Sequence, residues 1–458
     1  MKKNIDMLNG PVFKGILSFT IPVILTNLLQ NLFHTADLIV VGQYCGSLSV
    51  AAVSATTYLT SLIISFFIGI STGTGICVAR AIGAHQEKDV YRFVHTALPA
   101  AMICGGLVSL IGVIFSPTFL KWMGTPENVL PLSSVYMRIY FAGMVFNMVY
   151  NFSASILRSA GETKLTLYFS TIAGLLNVGL NILFVTAFKM NVAGVALATT
   201  ISQAVSAILA VVALTRRTDM CKLFIGQIRI YGKQLYLMLR HGLPAGIQIS
   251  LLSVSNVIIV SSINSFGSDA IIAGNGAALS LECLHSSVTS GFYTAQVNFV
   301  GQNAGAHKFN RVKKIYRTCL ASMLCMEIAV SALTYLFRIP LLSLYITDNA
   351  EAITYGILRI TYINLFYGIL SCMDNTGGAL RGLGYSIAPT IITLAGSCGF
   401  QILWVYTIFQ IPQCHTLPCL YQSYPISGLL TFLVHLIVFL TAIKKKAAES
   451  IMPQRSII

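Results

Sequence analysis

Apolar segments as long as a membrane crossing recur from one end of this chain to the other. The clearest, 59–70, 103–115 and 428–443, lie within stretches of roughly 20 apolar residues, the length that an α-helix needs to cross a bilayer. Only 9% of the 458 residues are charged, whereas a soluble domain carries about 25%. So little charge cannot cover a surface in water, and we therefore expect an all-α integral membrane protein.

Twelve transmembrane helices can be placed along the sequence. They are 13–42, 48–79, 91–115, 132–157, 165–188, 192–214, 235–265, 270–300, 313–338, 351–380, 387–411 and 423–443. The residues MKKNIDMLNGPVFKG at the start show no small-residue cleavage site after a short apolar core. We therefore interpret the first segment as a permanent helix and not as a signal peptide.

The net charge of +15 is distributed unevenly between the two sides of this layout. Lysines and arginines crowd the loops on the side that holds both termini, whereas only Lys121, Lys189 and Arg338 fall in loops on the other side. Such a bias marks the cytoplasmic side. We expect a multi-pass protein of the plasma (inner) membrane with both termini in the cytoplasm, and no nucleic-acid partner.

Three short motifs occur twice at nearly the same spacing. HGLPAGIQI around Pro244 is a second version of FTIPVILTN around Pro22, and the GAH at 305–307 follows the GAH at 83–85 at the same separation. LRGLG at 380–384 follows LRSAG at 157–161 at a separation longer by a single position. An offset shared by three motifs indicates an internal duplication. The glycines in these loops are typical of helix ends, where they adopt the left-handed conformation.

The duplication predicts an N-terminal six-helix lobe at 1–214, a cytoplasmic basic linker at 215–234 and a C-terminal six-helix lobe at 235–458. Since six is even, both copies enter the membrane in the same direction, and the pseudo-two-fold axis must lie along the membrane normal. Two such lobes leave a cavity between them and can rock to give alternating access. We expect the chain to act as a monomer.

Polar residues mark one face of the first helix. Asn27, Gln30, Asn31, His34 and Asp37 recur at three- and four-residue steps, which line one side of a helix. A charge at the bilayer centre costs roughly 2.5–3.5 kcal/mol, so the carboxylate must face protein or water. A neutral amide would pack at lower cost, which favours a functional role for Asp37. The amides are equally explained by hydrogen-bonded helix packing.

A proline precedes this aspartate in the same helix. Pro22 removes one backbone hydrogen bond and gives the helix a place to bend. We predict that a change in the hydrogen bonding of Asp37 bends the helix near Pro22, although a static kink explains the proline equally well. The second copy keeps the proline as Pro244 but has Ile259 where the aspartate would fall. Ion coupling is therefore expected in the N-terminal lobe.

The predicted C-terminal lobe also carries ionisable residues deep within helices. Glu282 and Asp374, with His285 one turn after Glu282, are candidates to line the cavity and attract cationic substrates. An internal ion pair with Arg359, or a helix–helix hydrogen bond, explains them equally well. Glu327 has no polar stripe around it, and we expect it to be structural.

The whole chain resembles the multidrug and toxic compound extrusion (MATE) transporters, and the aspartate in helix 1 resembles their DinF-like branch. The resemblance rests on Pro22 to Asp37, the paired GAH loops, FVGQNAGA after helix 8 and LRxxG after helices 4 and 10. It implies a cation site made by the helix 1 aspartate, an Asn and an Asp four residues apart in helix 5, and a Thr in helix 6. The matching residues here are Asn177, Asn181 and Thr199, so Asn181 replaces the second carboxylate.

The resemblance implies a secondary active antiporter that exports amphipathic, cationic small molecules in exchange for H⁺ or Na⁺. Asp37, Asn177, Asn181 and Thr199 offer hard oxygen ligands for Na⁺, without a dedicated metal site, and Gln30, Asn31 and His34 are cavity candidates. Burial of a carboxylate disfavours its charged form, and the missing second carboxylate weakens cation binding more than proton binding, which favours H⁺. No organic cofactor is expected.

A lipid-linked oligosaccharide flippase of the same superfamily is the alternative, and it would favour a strongly cationic cavity. A channel fits the duplicated halves and the coupling acid less well than alternating access does. The sequence has no HExxH or Walker A motif, so we do not expect an enzyme.

Overall fold

The structure is a computed structural model that describes residues 5–347 and 349–451, and these residues contain helices and no strand. Both termini therefore lie outside the described residues. The helices are Val12–Cys45 (α1), Ser47–Gly83 (α2), Glu87–Trp122 (α3), Leu130–Ala142 (α4), Met144–Ser159 (α5), Thr163–Ile182 (α6), Asn191–Thr215 (α7), Gly232–Asn264 (α8), Asp269–Gly305 (α9), Phe309–Leu336 (α10), Arg338–Ser343 (α11), Ala350–Tyr362 (α12), Tyr367–Gly382 (α13), Ile387–Thr393 (α14), Phe400–Tyr406 (α15) and Leu417–Ile451 (α16).

The helices account for all twelve predicted crossings. Ten helical segments in the described part of the chain are long and apolar enough to cross a membrane, among them Ala350–Gly382 and Ile387–Gln410, which each join two helices. α4 and α5 are bent by 44° and together form an eleventh crossing. α9 has the length of a crossing, with 37 residues, but is not among these apolar segments. The prediction of an all-α, twelve-helix membrane fold is therefore confirmed.

The duplication is visible in the backbone of the loops. His85 and His307, the equivalent histidines of the two GAH loops, both adopt the left-handed conformation, with φ of 54° and 57°. Gly161 and Gly384, the equivalent last glycines of LRSAG and LRGLG, have φ of 84° and 94°. A left-handed residue closes a helix by satisfying its last carbonyl groups. In the GAH loops the histidine, and not the predicted glycine, is the left-handed residue.

Packing divides the chain into two compact units. Within the described residues, the first unit contains Ile5 and 21–246, and the second contains 6–20 and 247–451. The divisions fall inside α1 and α8, beside Pro22 and Pro244, and not in the linker at 215–234. The compact units are defined by which helices contact each other, whereas the predicted lobes are defined by repeated sequence motifs. The two divisions therefore need not coincide. The lobes at 1–214 and 235–458 therefore stay a prediction about the duplication.

Small residues allow the helices of the first unit to approach closely, as is usual in membranes. A Cβ on Gly105 of α3 would lie 2.6 Å from the Cα of Val145 in α5. The Ser155 hydroxyl donates to the carbonyl oxygen of Ser71 at 2.9 Å, which ties α5 to α2. A side chain of one helix thus bonds a backbone carbonyl group of its neighbour.

The start of α1 is anchored in the second unit. The Asn303 amide donates to the carbonyl oxygen of Met7 at 2.9 Å, and the ammonium of Lys308 donates to the Asn9 side chain at 2.7 Å. The rings of Phe19 and Phe299 meet edge to face, with centroids 5.7 Å apart. Asn303 at the end of α9 and Lys308 just after it therefore hold the segment that leads into α1.

The predicted basic linker is docked on α3 and is not a free loop. The backbone N–H of Phe224 donates to Nε2 of His95 at 3.0 Å, and the N–H of Tyr231 donates to the Thr96 hydroxyl at 3.1 Å. The last residues of the predicted linker, from Gly232 onward, already belong to α8. The sequence identified the linker from its charge, which carries no information about these backbone contacts.

Candidate functional site

A polar cavity of about 420 Å³ lies within the first unit. Its walls come from α1, α2, α4, α5, α6 and α7, and hydroxyl and amide side chains supply most of its polar groups. Among the described residues that line it, Asp37 is the single acid and there is no lysine or arginine. The cavity therefore presents a single carboxylate, surrounded mainly by hydroxyl and amide groups.

The polar face predicted for the first helix borders this cavity. Gln30, Asn31, His34 and Asp37 are among the lining residues, whereas Asn27 is not. Their three- and four-residue spacing puts them on one side of α1, which is why one helix contributes four polar side chains. The backbone of α1 turns the carboxylate inward, so that Asp37 is only 8% exposed.

The four residues carried over from the family pattern form one hydrogen-bonded chain. The Asn181 amide donates to a carboxylate oxygen of Asp37 and to Oδ1 of Asn177, the latter at 3.3 Å. The Asn177 amide donates in turn to the hydroxyl of Thr199 at 3.2 Å, and that hydroxyl donates to the carbonyl oxygen of Val195. The hydrogen-bonded chain thus joins α1 to α6 and α6 to α7, and it contains a single acid, Asp37.

Asn181 is the member of this chain that donates to the carboxylate, and from Asn177 onward the donors point away from Asp37, toward Val195. Asn181 is fully buried, and its Oδ1 has no hydrogen-bond partner among the described residues. A buried amide oxygen without a donor is costly. A π-helical turn, Leu183–Ala187, begins two residues later, and such turns often lie at functional sites. If the amide turned, this oxygen could accept a hydrogen bond from a protonated Asp37 or face a cation.

α1 runs without a break through Pro22. The proline carries no N–H for the carbonyl one turn earlier, and its own carbonyl oxygen accepts the Thr26 hydroxyl at 2.8 Å. The bond from Thr26 supplements the backbone hydrogen bonds of α1 after Pro22, but not those before it. Bending at this position stays a prediction.

The ionisable residues of the second unit make contacts of their own. The carboxylate of Glu282 accepts from Nε of Arg359 at 2.8 Å, and Arg359 also donates to Asn275 at 2.7 Å. The geometry favours the internal ion pair of the two explanations offered for Glu282. None of the described cavity-lining residues is Glu282, His285 or Asp374, and their predicted role on the substrate path stays a prediction.

The surroundings of Glu327 could not be predicted from the sequence. Its side chain is fully buried and its Oε2 lies 2.8 Å from Nδ1 of His285. The two residues are 42 positions apart on α10 and α9, so no spacing within one helix could reveal the contact. The presence of an acid within a transmembrane segment was the one indication of a contact, because a buried carboxylate in a membrane requires a partner.

Comparison with known proteins agrees with the duplication. The MatE family matches twice, at 22–183 and 244–407, and the two matches begin at Pro22 and Pro244. The probable multidrug resistance protein YoeA of Bacillus subtilis (strain 168) is 31% identical over 401 residues, which cover 85% of this chain and 86% of the relative.

Solved structures share the fold over nearly the full chain. A MATE structure in the bent conformation superposes with a TM-score of 0.90 at 21% identity, covering 99% of this chain and all of that one. A MATE structure in the straight conformation gives a TM-score of 0.88 at 22% identity, covering 98% of this chain and all of that one. From the two family matches and the similarity to YoeA, this chain belongs to the MATE family of membrane transporters.

Proposed function

We propose that this chain is a secondary active antiporter that exports amphipathic, cationic small molecules across the plasma membrane in exchange for H⁺. The observation that carries the proposal is the single carboxylate, Asp37, in a polar cavity whose described lining contains no lysine or arginine. A lone negative charge attracts cations and can exchange a proton with water that enters the cavity. The name of YoeA, a probable multidrug resistance protein, supports the substrate class.

Proton coupling is favoured over Na⁺ by the direction of the hydrogen bonds. Asn181 presents its N–H group, and not its oxygen, to Asp37, and the oxygen of Asn177 already accepts a bond. A Na⁺ ion needs oxygen ligands that face it, so both amides would have to turn. A proton needs only the carboxylate and a turn of the Asn181 amide, whose Oδ1 would then accept from the protonated acid.

Asp37 also connects the proposed coupling to a change of shape in α1. Protonation removes the charge that Asn181 hydrogen-bonds, and α1 is expected to bend at Pro22, where its backbone ladder lacks a donor. MATE structures in bent and straight conformations are both similar to this chain, so the fold accommodates two conformations. The pattern of Asp37, Asn177, Asn181 and Thr199 supports membership of the DinF-like branch, with Asn181 in place of an acid.

The remaining parts of the proposal are simpler. Both termini face the cytoplasm, the chain acts as a monomer in contact with membrane lipid, and it needs no organic cofactor and carries out no enzymatic reaction. Export of a lipid-linked oligosaccharide is the alternative. Such a substrate carries phosphate, which favours arginine and lysine side chains, and the described lining of the cavity contains neither.

The proposal is tested by transport of a cationic dye in proteoliposomes under separately imposed pH and Na⁺ gradients. We expect the pH gradient to drive export and Asp37→Asn to abolish it. Glu127→Gln makes the same change of acid to amide at an exposed position of the same unit and should leave export unchanged.

Two results would overturn the proposal. Export by Asp37→Asn at the wild-type rate would exclude Asp37 as the coupling group. Export driven by Na⁺ alone would replace the proton by Na⁺. For the bend, the distance between spin labels on either side of Pro22 should change between acid and neutral pH, and an unchanged distance would leave a static kink.

A further inference from the structure

The second unit contains a buried acid–base pair that the proposed transport cycle does not use. Nδ1 of His285 in α9 lies 2.8 Å from Oε2 of Glu327 in α10, and neither side chain is exposed. Ionisable residues at membrane depth are costly and usually functional. A packing role would be met at lower cost by neutral side chains.

The other oxygen of the carboxylate is held by two hydroxyl groups. Oε1 of Glu327 accepts from Thr289 at 3.1 Å and from Ser371 at 3.0 Å, and the two hydroxyls lie 2.6 Å apart. A hydroxyl can donate or accept, and it rotates to do so. These neighbours therefore satisfy both the charged and the protonated form of Glu327.

The imidazole has one ring nitrogen in use and one free. Nε2 of His285 is buried and has no hydrogen-bond partner in the described part of the chain, while the ring stacks on Tyr367 at a centroid distance of 4.8 Å. His435, a buried histidine of the same unit, contacts backbone carbonyl oxygens with both nitrogens, each at 3.2 Å. His435 has the contacts of a structural histidine, and His285 does not.

No neighbouring charge among the described residues neutralises the pair. Tyr367 and Cys372 are ionisable groups beside it, and around Tyr367 lie Glu282, Asp374 and Arg359. Arg359 is engaged by Glu282, so its charge is balanced elsewhere. The charge of Glu327 must therefore be balanced by His285 or by a proton of its own.

The pair belongs to the second copy alone. The offset between the two GAH loops puts Gly105 at the position of Glu327 and Ile63 at the position of His285. A Cβ on Gly105 would lie 2.6 Å from the Cα of Val145, so the first copy has no room for a side chain there. The pair is a specialisation of the second half, as Asp37 is of the first.

We propose that His285 and Glu327 form a second proton-binding site, which holds one proton shared between imidazole and carboxylate and binds it independently of Asp37. A buried pair with no net charge is far less costly than a buried carboxylate with a neutral imidazole. The exchanged species is H⁺: with the proton bound the pair is neutral, and release to water leaves neutral imidazole and carboxylate.

The test uses the full-length protein in nanodiscs with ¹⁵N-labelled histidine rings and ¹³C-labelled glutamate side chains. Histidine NMR reports the protonation of His285, and the carboxyl infrared band reports that of Glu327, over the pH range in which the fold persists. The resonances are assigned with His285→Gln and with Glu327→Gln, which keeps a polar group for Thr289 and Ser371. We expect a single pH step with one midpoint in both signals.

The variants separate this proposal from simpler explanations. Glu327→Gln should shift the ring signals of His285 and remove the shared step, while the signals of His435 stay in place. Asp37→Asn should leave the step unchanged, so the result does not depend on the proposed coupling role of Asp37. Separate midpoints, the absence of any step, or loss of the step in Asp37→Asn would each overturn the proposal.

Discussion

Asn181→Asp is the substitution that most directly tests how the chain selects its coupling ion. It places a second carboxylate where the amide now contacts Asp37, and it changes neither the size nor the backbone of the site. Asn181 is fully buried and also lies 3.3 Å from Oδ1 of Asn177. A cation held between Asp37 and Asn177 would therefore lie beside the new charge.

The size of the effect follows from the geometry. Two unit charges about 4 Å apart attract by about 4 kcal/mol at an effective dielectric constant of about 20. Desolvation of the second carboxylate offsets much of that attraction. If about a third survives, Na⁺ binds about 1.4 kcal/mol more tightly, which is about tenfold in affinity.

The assay is dye export from proteoliposomes at constant pH with an imposed Na⁺ gradient. Wild-type protein should respond weakly to Na⁺, and Asn181→Asp should be stimulated with a half-maximal Na⁺ concentration about tenfold lower. Asn147→Asp is the matched control, since Asn147 lines the same cavity but bonds to Asn151 and not to Asp37. It makes the same chemical change outside the hydrogen-bonded chain.

The reasoning fails if Asn181→Asp responds to Na⁺ no better than wild type does. It also fails if Asn147→Asp gains the same response, because the effect would then come from the charge of the cavity and not from the site. Wild-type export that already saturates at low Na⁺ would show that one carboxylate is sufficient.

Three further predictions concern stability and the linker. Arg359→Met should lower the free energy of unfolding by about 3 kcal/mol, because it leaves Glu282 unpaired, and adding Glu282→Gln should recover most of that loss. Equal thermal stability of the single and double variants would contradict this. Gly274→Ala should cost about 1–3 kcal/mol, because its Cβ would lie 2.2 Å from a backbone oxygen, whereas Gly276→Ala meets nothing within 4 Å and should be neutral in the same melts. Burial would raise the pKa of Asp219, but its partner Arg217 holds that pKa below the ordinary value. The ion pair of Arg217 with Asp219 should therefore persist at neutral pH and be lost only as pH falls through the lowered pKa. Hydrogen exchange at the N–H of Cys221, which donates to Asp219, measures the loss, and Asp219→Asn should remove this pH dependence.

The sequence was most informative where a pattern lies within one helix. The positions of the twelve crossings follow from apolar length, and the polar side of α1 follows from the spacing of Gln30, Asn31, His34 and Asp37. Both depend on helical geometry alone, which is the same in every protein. The duplication was equally readable, because each copy repeats the residues that end its helices.

Partners on different helices could not be read in this way. Asp37 and Asn181 are 144 residues apart, and their association was expected only from the resemblance to a family. For Glu282 the sequence allowed both a cavity role and an ion pair. The contact with Arg359, 77 residues away, is visible only in the structure. The linker, identified by its charge, turned out to bind α3 through its backbone.

The sequence by itself determined that this chain crosses a membrane as two related sets of helices, because lipid leaves an apolar segment no other way to satisfy its backbone. The tertiary structure decided which buried acids have a charged or ionisable partner and which acid faces a cavity. It pairs Glu282 with Arg359, joins Glu327 to His285, and leaves Asp37 with neutral amides beside a cavity. The physical reason is that the cost of a buried charge depends on the nearest partner in space, and helix packing alone sets that distance.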